Sequence, residues 1–127
     1  MSNAIQFSPD DRMCTGTKGA MHELVVAVDL LRCGFDVFRA QSPACSCDLV
    51  VIRGKRTVRI EVRTGQITKA GRLTWPTAPR DVGRQDVYAI VTGESDIRYF
   101  PPMDQWGIPI RNSLPEGFNA IPGQMRP

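Results

Sequence analysis

Between residues 17 and 33, apolar side chains return every three or four positions. Ala20, Leu24, Ala27, Val28 and Leu31 make one stripe, and Met21 and Val25 widen it. That spacing predicts an amphipathic helix over 17–33, lying flat on a sheet with this stripe buried. Thr15 or Thr17 can cap its start. Gly34 stands where a glycine closes a helix. Cys33 falls on the apolar side and is expected to be a buried thiol.

The period then changes from three or four to two. Residues 36–40 alternate and read as a short strand. Residues 48–52 run apolar after Asp48, the pattern of a central strand covered on both faces. Gly54-Lys55 predicts a tight turn into a strand over 56–64. There Val58, Ile60 and Val62 share one face and Thr57, Arg59, Glu61 and Arg63 the other. Residues 65–85 show no period and contain several glycines and prolines, so they read as an irregular link, long enough to signal either function or an element without a visible pattern. Residues 87–91 form a continuous apolar run, a buried strand. Gly93-Glu94-Ser95 turns the chain into a last strand over 97–100. From Pro101 onward there are six prolines and no period. The expected layout is a loose segment over 1–16, one α/β domain over 17–100 and a proline-rich tail over 101–127, packed on the domain or fraying from it. A helix on a mixed five-stranded sheet is the economical architecture.

Composition narrows the class. The 127 residues are 42% apolar and 23% charged, with a formal charge of +3, ordinary values for a globular chain. No apolar run approaches the roughly 20 residues that span a bilayer. The start lacks a signal-peptide pattern, which points to a reducing cytoplasm in which Cys14, Cys33, Cys45 and Cys47 stay unpaired. Cys45 and Cys47 form a C-x-C pair with too few soft partners at suitable spacing for zinc.

Three acids occupy apolar elements: Glu23 in the helix, Asp48 at the head of a strand and Glu61 inside another. A carboxylate beside a core needs a partner. Two on neighbouring strands repel each other, and a divalent cation relieves that repulsion. Mg²⁺ takes oxygen ligands, commonly one or two carboxylates with several waters. Glu61 and Arg63, two apart on one strand, address the same space, an arrangement suited to phosphoryl transfer. Ordinary readings stand beside these. Glu23 can be a solvent-facing helix residue, Asp48 a cap or turn residue at a strand start, and Glu61 with Arg63 the exposed face of an edge strand, each paired with neighbouring charges. His22 faces a different side of the helix from Glu23 and reads as a surface histidine.

Gly19-Ala20-Met21-His22-Glu23, Gly34-Phe35-Asp36-Val37, Cys47-Asp48-Leu49-Val50-Val51 and Ile60-Glu61-Val62-Arg63-Thr64 together resemble the PD-(D/E)xK nuclease superfamily. The likeness is to its small Holliday-junction-resolvase-like and endonuclease-like branch, from about residue 17 to 100. The resemblance implies a restriction-endonuclease-like core that cuts DNA phosphodiester bonds, including branched or structured DNA, with Mg²⁺ or Mn²⁺. It implies Asp48 and Glu61 as metal ligands, Glu23 completing the set, and Arg63 at the catalytic lysine position. Cys47 stands where the motif usually has proline. Arginine remains protonated and cannot serve as a base. The alternative is therefore a catalytically impaired nuclease-fold module that binds nucleic acid or a protein. A structural protein whose acids form a satisfied ion-pair network is a third reading.

Positive charge is concentrated around these motifs. Arg53, Lys55, Arg56, Arg59, Arg63, Lys69 and Arg72 face a single acid, Glu61, within twenty residues, a local net charge of +6. Arg80 and Arg84 follow. A phosphate backbone favours such a stretch. Trp75 in the same region can stack on a base or pack in a core. A chain this short offers little surface to grip a duplex, and a homodimer is the expected remedy.

Overall fold

A computed structural model describes residues 5–8, 12–76 and 84–104. Helix α1 (Thr15–Arg32) leads into strands β1 (Asp36–Arg39), β2 (Leu49–Arg53), β3 (Arg56–Thr64), β4 (Gln66–Ile67), β5 (Leu73–Thr74), β6 (Val87–Thr92) and β7 (Asp96–Phe100). Five strands make one mixed sheet in the order β1-β2-β3-β6-β7, and β4 and β5 pair separately. All neighbours in the large sheet are antiparallel except β3 and β6, which run parallel from Ile60 opposite Val87 to Thr64 opposite Val91. A parallel pair needs a long crossover, and residues 65–86 supply it. The fold is α/β, a helix packed on a mixed five-stranded sheet, as the pattern predicts.

Period-two alternation sorts each strand between two cores. Toward α1 point Leu49 and Val51 of β2, Val58, Ile60 and Val62 of β3, and Val87, Ala89 and Val91 of β6. They meet Val26 and Leu30 of the helix, with Phe35 closing one end. Tyr99 of β7 donates a 2.5 Å hydrogen bond to the Asp29 carboxylate, tying the far edge of the sheet to the helix. The opposite face carries a smaller core of Leu73, Trp75, Tyr88, Ile90 and Phe100. This second core explains why every residue of β6 is buried.

Several expectations change. The helix begins two residues earlier than its pattern predicts, with Cys14 rather than a threonine at the N-cap position and no side-chain cap. The buried face of α1 is His22, Val26, Ala27 and Leu30. Of the predicted stripe, Ala20, Leu24, Val28 and Leu31 are exposed, as is Met21. Because α1 is apolar around much of its circumference, periodicity alone cannot say which side meets the sheet. Cys33 shares the outward fate and is exposed. Strand β2 is covered on one face only, since Val50 and Ile52 lie half-buried on the side that the second core does not reach. The aperiodic link contains the β4–β5 hairpin, whose two-residue strands are too short to show alternation. The tail beyond Asp104 and residues 77–83 lie outside the described residues.

Candidate functional site

The acids meet because of strand register. Leu49 pairs with Ile60, so Asp48, one step before, stands beside Glu61 on the neighbouring strand. The Asp48 backbone is held on both sides: its N–H donates to the Ile60 carbonyl at 3.1 Å and its carbonyl accepts from Ala40 N–H at 2.9 Å. Its carboxylate Oδ2 accepts the Val62 N–H at 2.8 Å, which fixes the side chain against β3. Glu61 is buried. Arg63, two residues on, reaches back to it with Nη1 2.7 Å from Oε1.

These groups open onto a polar cleft of about 380 Å³. Its walls are the acids Asp48 and Glu61, the guanidinium groups of Arg63 and Arg84, and the loop Pro43-Ala44-Cys45. Arg84 enters from the segment before β6, and its Nη2 donates to the Cys45 carbonyl at 3.1 Å, pinning that loop. Two carboxylates and two cations therefore face one space. Asp48, Glu61 and Arg63 thus line one cleft.

Glu23 lies near this group without lining the cleft. Its Oε1 is 3.8 Å from Nη2 of Arg39. Burial first, and then the negative charge of Asp48, push its carboxyl above the usual range, while Arg39 pulls it back. The Cys47 thiol is likewise pushed up, chiefly by burial and then by Glu61, with Asp48 adding to this and Arg59 opposing it. The three acids thus share one electrostatic neighbourhood. Among the described residues no three His, Cys, Asp or Glu side chains converge closely enough to enclose a metal ion. The donor set is carboxylate oxygen in a polar cleft, which fits a hard, largely hydrated cation held by one or two carboxylates. Asp48 and Glu61, which both line the cleft, are the residues that could hold such an ion.

The basic stretch does not form one surface. Arg53 donates to the Cys33 carbonyl at 2.8 Å and lies over the Phe35 ring, where it closes the end of α1. Arg59 pairs with Asp86 at 3.2 Å, and Asp86 also accepts the Arg59 N–H. Lys55 and Arg56 sit at the β2–β3 turn, about 20 Å from Asp48 at the usual rise per strand residue. Lys69 and Arg72 lie on the exposed turn of the β4–β5 hairpin. Arg80 falls outside the described residues. Trp75 is not available to a base. It is 2% exposed, stacked on Phe100 at 5.1 Å and tilted against Tyr88. The second core needs a large apolar side chain there.

Sequence reasoning missed His22. It is buried, not superficial, and its Nδ1 hydrogen-bonds to Thr64 Oγ1 at 2.7 Å. His22 precedes Glu23 and Thr64 follows Arg63, so this bond clasps the two elements that carry those site residues. The available signal was its position beside Glu23. The missed Arg84–Cys45 contact had no signal, because its partners are 39 residues apart.

No family model matches this chain, and no curated protein matches it significantly. Among solved structures it is similar to a bacterial homing endonuclease, I-Ssp6803I, with 16% sequence identity over 70% of each chain and a TM-score of 0.58. At that identity the likeness is one of fold, and this chain carries a nuclease-like fold.

Proposed function

We propose that the chain is a metal-dependent endonuclease of the PD-(D/E)xK type that hydrolyses DNA phosphodiester bonds, with branched or structured DNA among its substrates. The observation that carries this is the pairing of Asp48 with Glu61 by strand register at the mouth of one cleft that Arg63 and Arg84 also line. Mg²⁺ or Mn²⁺, when bound, polarises the phosphate and makes water a better nucleophile. The chain's own residues do the rest. Val62 N–H holds Asp48 in place, Arg84 and Arg63 offer positive charge to a phosphate, and Glu61 keeps Arg63 oriented. Arg63 remains protonated, so it stabilises developing negative charge and takes no proton.

The test is cleavage of supercoiled, linear and four-way-junction DNA by the full chain with Mg²⁺ and with Mn²⁺. Asp48→Ala should lower the rate on the order of 1,000-fold, the worth of several kcal/mol of metal-linked stabilisation. If every substrate stays intact with folded protein, the nuclease reading fails.

A second reading has its own observation. The 2.7 Å Glu61–Arg63 pair already neutralises one ligand. In that reading the fold binds nucleic acid without cutting it. Arg63→Lys decides between them. A large gain in cleavage marks a scaffold disarmed by arginine, whereas an active parent that loses rate marks arginine as the working cation.

We further propose that a second copy covers the outer face of α1. Met21, Leu24, Val28 and Leu31 are 46–57% exposed and recur at steps of three, four and three. That is the spacing with which two like helices interdigitate. An isologous two-fold contact needs only such a self-complementary patch. The adjoining groove, with Val25 and Ile97, extends it toward the roughly 800 Å² per partner of a standard interface. Sedimentation should show a dimer that Leu24→Ser with Leu31→Ser converts to monomer. A parent that remains monomeric at high micromolar concentration rules the contact out.

A further inference from the structure

We infer that the β4–β5 hairpin reads base sequence from the major groove of a duplex, with Gln66 and Thr74 facing base edges and Lys69 and Arg72 contacting the flanking phosphates. This rests on the DNA reading above and adds to it the element that sets specificity.

The hairpin stands apart from the main sheet as a two-stranded ribbon. Its root is rigid. Gly65 N–H donates to the Val91 carbonyl at 2.8 Å, and Leu73 and Trp75 are buried in the second core. Its tip is a closed turn. Gly71 N–H donates to the Thr68 carbonyl at 2.9 Å, Thr68 N–H to the Arg72 carbonyl at 2.8 Å, and Arg72 N–H to Thr68 Oγ1 at 3.1 Å. Gly71 holds φ +81, a left-handed conformation that suits glycine. Residues 66–72 are all exposed.

Register divides the ribbon's faces. Ile67 pairs with Leu73 and Gln66 with Thr74. Leu73 is turned into the core, so Gln66 and Thr74 occupy the outward face. On that face the half-buried Thr74 hydroxyl donates to the Gln66 carbonyl at 3.4 Å, which leaves its lone pairs to accept from a base edge; the Gln66 amide can both donate and accept, and the tip supplies two cations for phosphates. Size agrees as well. Strands lie about 4.8 Å apart, and the major groove, about 12 Å wide, admits a two-stranded ribbon. The root follows Arg63 directly, so Lys69 lies at most about 20 Å of extended chain from the cleft. A bound duplex could touch the ribbon and the cleft at once.

The experiment uses the full chain carrying Asp48→Ala, so that DNA is bound and not cut, and selects from a randomised duplex library. Lys69→Ala with Arg72→Ala should weaken binding tenfold or more and reduce the slope of log affinity against log salt by about 2, near 0.9 for each phosphate no longer neutralised. Gln66→Ala with Thr74→Ala should keep that slope and lose about tenfold discrimination at two or three adjacent base pairs. Unchanged thermal unfolding of each variant removes misfolding as a cause. Duplex binding whose base preference survives both variants overturns the hairpin assignment alone. Binding with no base preference in the parent also overturns it. No duplex binding by the parent overturns this inference and the nuclease reading together.

Discussion

Gly65 occupies a position with no room for a side chain. A Cβ there would stand 2.5 Å from Cγ2 of Ile90 and 3.1 Å from Cδ1 of Leu73. Gly65→Ala should therefore lower unfolding stability in urea by about 1–3 kcal/mol, the usual penalty for overpacking a core. An unchanged midpoint would show that Ile90 and Leu73 give way freely. His22 supplies a pH-dependent counterpart. Burial chiefly holds its pKa below the ordinary 6.5; a hydrogen bond that the ring donates to the Gly93 backbone carbonyl opposes this, and the positive charge of Lys18 reinforces the lowering. The unfolded state then binds the proton more readily than the folded one, so stability rises with pH through this range. The contribution is complete above the unfolded value of about 6.5 and is lost as pH falls toward and below the folded value. The melting temperature should drop between pH 7 and pH 5, and drop less in His22→Gln. Equal drops in both proteins would place the acid sensitivity elsewhere.

At the scale of elements, α1 shows what patterning can and cannot decide. Its existence and end were legible from the apolar recurrence and from Gly34. Its orientation was not, because two apolar faces compete and only the sheet selects one. Leu30 is 1% exposed and Leu31 57%. Leu30→Ala should cost about 2–5 kcal/mol, and Leu31→Ala well under 1 kcal/mol at chain concentrations too low for association. Chemical denaturation of both variants checks the assignment, and a reversed order would restore the stripe read from sequence. Strands β3 and β6 were legible for opposite reasons, β3 by strict alternation and β6 by an unbroken apolar run. The β4–β5 hairpin was hidden because two-residue strands have no period. The antiparallel pairing that sets Asp48 beside Glu61 was legible because a tight turn at Gly54-Lys55 joins the apolar run of β2 to the alternating β3. The engagement of Arg53 and Arg59 with Cys33 and Asp86 was not, since long-range partners leave no local trace.

For the whole molecule, the large sheet has one parallel junction, between β3 and β6, and it joins residues 27 positions apart, Ile60 and Val87. The β1-β2-β3 meander closes through nearer neighbours, whereas β6 can dock only after a long excursion of chain has been gathered in. Distant pairings are slow because loop entropy must be lost before contacts compensate for it. The cleft draws Asp48 and Glu61 from the early part and Arg84 from the late part, so acids and distal guanidinium assemble in sequence. In pulse-labelled refolding, amides shared by β2 and β3 should become protected before those of β6 and β7. The kinetic implication is that a half-folded chain exposes its paired carboxylates without Arg84, and the complete cleft is among the last parts of the protein to come into being.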